Sequence, residues 1–534
     1  MYRLIAFFLL LSACRTTDSE LKANRPDICA NASLLERITA VVAPNQLSSS
    51  SSRCLQEQFQ ANLDLERRTT KDKNPLDRFD AREVAKNSSS VEPYALTKGN
   101  IVDRKVYVRG PEIFSKMRAL ISSAQEEVLI QTFVWESVSD SAQKVLEGLK
   151  DLEKRREADC PTCSPVVVRI LANHGPTALD FISRAIGIDR PNDSGADARA
   201  GVLALKLNPQ FVDVKVLTYT HQALGLTHAK SMVIDGQIAM ITGANIQRFN
   251  DKDVNWNDRG YVVGGEIAKT VRMDLINNFI RADQGTERDG RADLAEKIGT
   301  PYERKFLTVY SVEKNMTQAY KSENGIPIIF TSRNGEGLPT TSNNNTQNRA
   351  FQTLFQNARA SIDIQTPNFN DDAVVRGLGT AIKRQVKVEL LLSKLFNCRG
   401  ENQVGQGGQN AKAVNRLLRE ADLSAPKGPH HDFRWFSKLE GAAVKVVLDN
   451  PKGKLPEDRL NNSHAKFMVV DDEVVAVGAA NMDTQSWNQS REINILIFDP
   501  EIAKAWKSQV FDESFQMAIP LTSEELVDSA IVCP

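Results

Sequence analysis

Residues 225–247 read GLTHAKSMVIDGQIAMITGANIQ, and residues 461–483 read NNSHAKFMVVDDEVVAVGAANMD. Each stretch opens on His-x-Lys, runs through apolar residues to an aspartate, returns in a second apolar run and ends on an asparagine just after a glycine. His228 and His464 stand 236 positions apart, as do Asn245 and Asn481, and Ile-Gln-Thr recurs at Gln131 and Gln365, 234 positions apart. Distant markers that keep one register mean an internal duplication, and each copy must build a similar unit. For 534 residues this predicts two large lobes in place of several unrelated domains.

The pattern ahead of each motif defines the unit. PEIFSKMRALISSAQ, from residue 111, has helical apolar spacing and runs into the strand-like EVLIQTFVWE; RAFQTLFQNARA followed by SIDIQTPNF repeats the order from residue 349. Further strands (SPVVVRILANH, FVDVKVLTY, VKVELLLSK, AVKVVLDN) alternate with helical segments (AVVRGLGTAIKRQ, AKAVNRLLREA). The fold class is therefore α/β, with two duplicated lobes, each a mixed β-sheet flanked by helices, packed as a pseudo-twofold pair. The expected boundaries are 96–290 for lobe 1, 291–325 for the inter-lobe connection and 326–534 for lobe 2. FLTVY at 306–310 reads as a strand.

Strand geometry says what each motif presents. Positions i and i+2 share a face, so His228 and Lys230 point the same way, as do His464 and Lys466. Asp235-Gly236 forms a favoured two-residue turn and Asp471-Asp472 a weaker one, which makes both aspartates structural. A two-residue loop places Asn245 opposite Leu226, within reach of His228. Imidazole, ammonium and amide converge, a combination suited to a tetrahedral anion: Lys and Asn hold oxygens while histidine attacks or moves a proton.

Two H-x-K-x-x-x-x-D motifs (His228/Lys230/Asp235 and His464/Lys466/Asp471), each followed by its asparagine, closely resemble those of the phospholipase D superfamily. The flanks GANIQRFNDKDVNWNDRGYVVGG and GAANMDTQSWNQSREINILIFD are most similar to the bacterial cardiolipin synthase and phosphatidyltransferase branch. They depart from its pattern at Thr242, where the second half has Gly478, at Gln485 in place of arginine and at Ser490 in place of asparagine. The resemblance implies a phosphodiesterase working through a phosphohistidine on phospholipid, by hydrolysis or transfer, with no metal or other cofactor. One histidine is the nucleophile and the other the acid; family habit favours His228 as nucleophile, and the symmetry of the repeat gives no ground for choosing. Lys230, Lys466, Asn245 and Asn481 supply charge and donors, and an acid after each motif orients its histidine: Asp258 after the first, Glu492 after the second. His174, His221, His430 and His431 read as surface or packing residues, and Trp256 and Trp487 as core or cleft-wall aromatics.

The N-terminus carries an apolar run, Leu4 to Leu11, too short to span a bilayer. Residues 1–13 read as a signal peptide, and Leu11-Ser12-Ala13-Cys14 resembles the bacterial lipobox. That resemblance implies lipidation of Cys14, a tether and cap over residues 14–95, and a cell-envelope location at the outer membrane, because Arg15 follows the lipid site. The other cysteines of an exported chain favour disulfides, with Cys160-Pro-Thr-Cys163 a local one in preference to half a zinc site, and Cys29–Cys54 a second pairing.

The chain has 67 basic and 67 acidic residues and no Lys/Arg runs, which argues against a nucleic-acid partner. The expected partners are a phospholipid substrate and the membrane through the anchor, and no oligomer is needed because each chain holds both motifs. An exported nuclease and a non-catalytic protein that binds anionic headgroups remain the competing readings.

Overall fold

The computed structural model describes residues 32–43, 46, 95–174, 194–220, 226–254, 256–282, 309–333, 335, 345–394, 396, 406–436 and 463–527. Cys14, the signal peptide, Cys29 and Cys54 lie outside them. Lobe 1 is built on β1 (Asn100–Asp103), β2 (Glu127–Thr132), β3 (Val166–His174), β4 (Val212–Thr220), β5 (Ser231–Ile234), β6 (Ile238–Thr242) and β7 (Arg259–Gly265). Lobe 2 repeats the set with β8 (Ile328–Arg333), β9 (Ser361–Thr366), β10 (Lys387–Leu392), β11 (His431–Trp435), β12 (Phe467–Val470), β13 (Val474–Gly478) and β14 (Glu492–Phe498). The strand order is β1-β7-β6-β5-β2-β3-β4 in the first sheet and β8-β14-β13-β12-β9-β10-β11 in the second. In both, β2/β3/β4 and β9/β10/β11 run parallel while the motif hairpin and its neighbours are antiparallel. The expected α/β duplication is what the backbone forms.

The longer helices are α1 (Leu34–Val42), α2 (Arg109–Ser123), α3 (Asp140–Asp159), α4 (Ser194–Ala204), α5 (Glu266–Arg281), α6 (Thr346–Asn357), α7 (Asp372–Lys383), α8 (Asn410–Glu420) and α9 (Pro500–Lys507). In α2, Ile113, Phe114, Met117, Leu120 and Ile121 recur at three- and four-residue spacing and form its buried side. The side chains of Ser139 and Asp371 cap α3 and α7. The helix α1 starts in a capping box between Ser33 and Glu36, and its Ile38 and Val42 pack into the lobe 2 core with Phe351 and Leu354. Among the described residues no helix is long and apolar enough to cross a membrane.

Strand alternation divides the central strands between two cores. Val128 and Ile130 of β2, with Met232 and Ile234 of β5, face the core of lobe 1. Leu129 and Val233 face a second core shared with Phe467, Val469, Val475, Val477, Ile495 and Ile497 of lobe 2, and with α5 and α9. The central strands are thus apolar on both faces, as a doubly covered sheet demands. Within the shared core the Tyr261 ring lies 4.7 Å from Trp506 across the lobe boundary.

Two short strands cross that boundary. Leu96–Thr97, just before lobe 1's first strand, pairs with Ile328 and Ile329 of β8 in lobe 2. Ala319–Tyr320 pairs with Val102 and Asp103 of β1 in lobe 1.

The motif hairpins differ from the expected register by one residue. Ser231 pairs with Ile241 and Ile234 with Ile238, leaving the three-residue loop Asp235-Gly236-Gln237; Phe467 pairs with Val477, leaving Asp471-Asp472-Glu473. The expected turns do form: Asp235 and Gly236 have positive φ and the Gln237 N–H donates to the Ile234 carbonyl at 3.0 Å, while Asp471 and Asp472 are closed by the Glu473 N–H on the Val470 carbonyl at 3.0 Å. Gln237 and Glu473 then stand as one extra residue before each ladder resumes. The ladder stops at Ser231–Ile241, so Asn245 lies beyond it and pairs with neither Leu226 nor Thr227, which bridges to Arg491.

Elsewhere, Val309 and Tyr310 open a helix, Val309–Lys314, instead of closing a strand, and the rest of FLTVY lies outside the described residues. Cys160 and Cys163 form a local disulfide just past α3.

Candidate active site

Each motif begins where the two lobes exchange backbone hydrogen bonds. Thr227 forms a parallel bridge with Arg491, and Ser463 forms one with Asn257. The His228 N–H donates to the Arg491 carbonyl at 3.0 Å, the Arg491 N–H to the Leu226 carbonyl at 2.7 Å, and the His464 N–H to the Asn257 carbonyl at 3.2 Å. Both bridges end one residue short of an acid, so each histidine meets the carboxylate of the other lobe.

That corrects the expected pairing. His228 Nδ1 lies 2.8 Å from Glu492 Oε1, and His464 Nδ1 lies 2.9 and 3.0 Å from the two oxygens of Asp258. The acid that follows each motif serves the partner motif. In a lobe's own sheet the strand after the histidine and the strand that starts at or just after the acid stand on either side of the hairpin's second strand, and the backbone bridges carry each acid across the boundary.

Both carboxylates are fully buried. Burial, the largest influence, pushes Asp258 and Glu492 up, but the facing imidazoles and the two lysines outweigh it and hold both below the usual range. An ionised carboxylate only accepts, so Nδ1 carries the proton in each ring and Nε2 keeps its lone pair. Burial also pulls both imidazoles down, His464 to about 3, so both rings are neutral in the empty site.

Lys230 and Lys466 point back along their strands. Lys230 Nζ donates to the His228 carbonyl and Lys466 Nζ to the His464 carbonyl at 2.6 Å. Burial lowers Lys230 well below its ordinary value and brings Lys466 to about 8. Each lysine acts electrostatically on the histidine of the other lobe. Histidines, lysines and acids therefore belong to one site at the lobe boundary.

Asn245 and Asn481 are buried, and their Oδ1 atoms have no partner among the described residues. The Asn481 amide donates to Asp483 at 3.1 Å. Asp235 and Asp471 lie in the turns, away from this site. Asp235 accepts from the backbone N–H groups of Gln125, Glu126 and Glu127 at 2.9, 2.7 and 2.9 Å. Asp471 does the same for Arg359, Ala360 and Ser361 at 2.9, 2.7 and 2.9 Å.

Aromatic rings flank both imidazoles, Trp256 as expected of a cleft-wall residue and Phe396 and Phe133 with no motif signature. The Trp256 ring lies 4.9 Å and Phe396 5.3 Å from His464, while Phe133 lies 5.3 Å from His228. Trp487 instead sits in the lobe 2 core against Phe351 and Phe355. A Cβ on Gly243 would stand 2.6 Å from Asp258 Oδ1 and 3.2 Å from Lys466 Cδ, so only glycine allows this approach. His431 is a packing residue, bonded through Nε2 to the Ala425 carbonyl at 2.8 Å. His430 lends its carbonyl to Val388, and the side chains of His174 and His221 lie outside the described residues. Among the described residues no group of three or more His, Cys, Asp or Glu side chains is arranged to hold a metal ion.

A family model described as "Cardiolipin synthase, PLD-like domain" matches residues 117–258 and 351–514, one stretch in each lobe. A cardiolipin synthase of Staphylococcus aureus (strain Mu50) is 34% identical over 418 residues, which cover 77% of this chain and 67% of that protein. A cardiolipin synthase of Clostridium perfringens (strain SM101) is 22% identical over 450 residues, covering 82% and 75%. Among solved structures, phosphatidylserine synthase of Haemophilus influenzae Rd KW20 superposes with a TM-score of 0.50 at 13% identity, over 84% of this chain and 93% of that one, a likeness of fold.

Proposed function

From the premise that the chain belongs to the phospholipase D superfamily, in its cardiolipin-synthase-like domain family, we propose that it is a metal-independent phosphodiesterase acting on membrane phospholipid. The observation that carries this reading is the pair of crossed dyads: each imidazole has Nδ1 committed to a buried carboxylate of the opposite lobe and Nε2 uncommitted among the described residues.

In the proposed reaction His228 Nε2 attacks phosphorus, the bond from phosphorus to the alcohol oxygen breaks, and His464 gives its proton to the departing oxygen. His464 gains that proton with the substrate, since an anionic diester beside the ring favours imidazolium. The neutral His464 then takes a proton from water or from an acceptor alcohol, whose oxygen attacks the phosphohistidine and frees His228. Water gives hydrolysis, and an alcohol gives phosphatidyl transfer. Lys230, Lys466, Asn245 and Asn481 meet the charge on the phosphoryl oxygens. His228 suits the nucleophile's role because its side chain is 12% exposed against 4% for His464. Lipidation of Cys14 at the outer membrane would hold this cleft near its substrate.

The test offers the purified protein phosphatidylglycerol or phosphatidylcholine vesicles in one arm and single-stranded DNA in the other, both with EDTA. Release of headgroup, or formation of cardiolipin, is expected. Nicked DNA with untouched lipid, or no turnover in either arm, overturns the reading.

A further inference from the structure

Arg491 is the residue just before Glu492 and is 2% exposed. Its backbone bridges to Leu226 and His228 on the other lobe. Its guanidinium reaches the same lobe by a different route: Nη2 pairs with Asp274, and Nε donates to Asn278 Oδ1 at 3.2 Å. Those two residues lie one turn apart on α5, so a single planar fork meets both. Nη1 returns to its own lobe, donating to the carbonyls of Arg333 and Glu492 at 3.0 and 3.2 Å.

From α5 the contact continues toward the chemistry. Asn278 Nδ2 donates to Gln131 Oε1 at 3.2 Å, and Gln131 Nε2 donates to Ser231 Oγ at 2.9 Å. Ser231 follows Lys230 in the chain. Arg491 thus grips the first motif on both flanks, by main chain before the histidine and through Asn278 and Gln131 behind the lysine.

The second half-site lacks this device among the described residues. Asn257 stands in the place of Arg491, and its side chain is taken by Arg259 of its own lobe. Gln365, the repeat equivalent of Gln131, also bonds a serine (Ser463 Oγ, 2.7 Å), but its Oε1 has no partner among the described residues.

We propose that Arg491 is a positioning residue for the first half-site: by gripping Asp274 and Asn278 it fixes the Glu492 carboxylate against His228, so that lobe closure sets the direction of that imidazole alone. The inference rests on the proposed function only in making His228 a reacting group. A planar fork that meets a carboxylate, an amide and two carbonyls at once is not replaced by an ammonium.

Removing the guanidinium alone takes a cation from the buried Asp274 carboxylate, so the test variant removes both charges, Arg491→Met with Asp274→Leu, and Arg491→Lys is its companion. In the full chain with 15N-labelled histidine, imidazole NMR reads the tautomer of each ring. Both rings are expected as Nδ1–H in the wild type. In either variant His228 is expected to lose that preference while His464 keeps it, and on phospholipid kcat falls about 100-fold with KM little changed. A wild-type His228 spectrum in a folded variant overturns the inference, as does an equal disturbance of both rings, which would mean general loosening. If the double variant does not fold, Arg491→Lys decides by the same two signals. Absence of lipid turnover by the wild type would defeat the proposed function yet leave the NMR result to decide on Arg491.

Discussion

The two half-sites use the same residue types but are held differently. His464 meets both oxygens of a short acid, Asp258, and lies under Trp256 and Phe396. His228 meets one oxygen of a longer acid, Glu492, and has Phe133 for a neighbour. Behind the motifs the polar fillers trade places. In lobe 1 the Thr242 hydroxyl accepts from the Ala244 N–H at 3.0 Å and donates to the Arg259 carbonyl at 2.7 Å. In lobe 2 Gly478 leaves room for Asn494, whose Oδ1 accepts the matching N–H of Ala480 at 3.3 Å. The departure at Thr242 from the family pattern is therefore compensated within each lobe. Duplication conserves the reacting set, while the support around it is free to diverge as long as every buried backbone N–H keeps a partner.

The comparison breaks most sharply at the histidines. His228→Ala and His464→Ala are each expected to lower kcat by at least about 10⁴-fold, with the fold retained by circular dichroism. The halves should differ in rapid-quench experiments with a p-nitrophenyl phosphodiester, whose alcohol departs without a proton: the His464 variant then traps a phosphohistidine and the His228 variant does not, and the reverse result would exchange their roles. Glu492→Gln and Asp258→Asn come next, each with a loss of about 100- to 1000-fold. Because the dyads are crossed, Glu492→Gln should disturb the His228 NMR signals and spare His464; the opposite result would restore the uncrossed pairing.

Gly243→Ala is a smaller perturbation that should still cost about tenfold to 100-fold in kcat, since the methyl displaces Asp258 or Lys466. Lobe 2 already carries Ala479 at this position, so Ala479→Gly should leave kcat within about threefold. Activity should also fall as pH rises past about 8, where Lys466 loses its proton, by about tenfold per unit.

Stability has its own pH limb. His464 moves from 6.5 down to about 3 on burial, so between those values the unfolded chain binds a proton that the folded chain refuses. Stability is complete above about pH 6.5 and declines as pH falls toward 3, a slope that chemical denaturation at stepped pH measures. Asp235→Asn and Asp471→Asn are the mildest, expected to lower stability by about 1–3 kcal/mol each through the weakened clamp on three backbone N–H groups, with kcat nearly unchanged.

The duplication, the alternation of strands and helices along the chain and the His-x-Lys pairs that meet at the lobe boundary were legible because each is written in short-range pattern: period, spacing and the i, i+2 rule. The crossing of Asp258 and Glu492 was not. It depends on bridges between residues more than 200 positions apart, such as His464 with Asp258, and either pairing satisfies the same motif. The hairpin register slipped by one because an extra residue, Gln237 or Glu473, follows each two-residue turn before the ladder resumes. Asp274 and Asn278 carried no sign at all, as an ordinary i, i+4 pair on a helix that gains meaning only when Arg491 arrives from the other lobe.

The exchange of the two short strands has a further consequence. Leu96–Thr97 and Ala319–Tyr320 each leave their own half of the chain to finish the border of the other's sheet. A gene cut in the connection ahead of Ala319 would yield two polypeptides, each missing an edge that the other holds. Expressed apart, they should be poorly soluble; mixed, they should reassemble as complementing fragments. The intact chain should melt in one step, with no stage at which a single lobe stands alone.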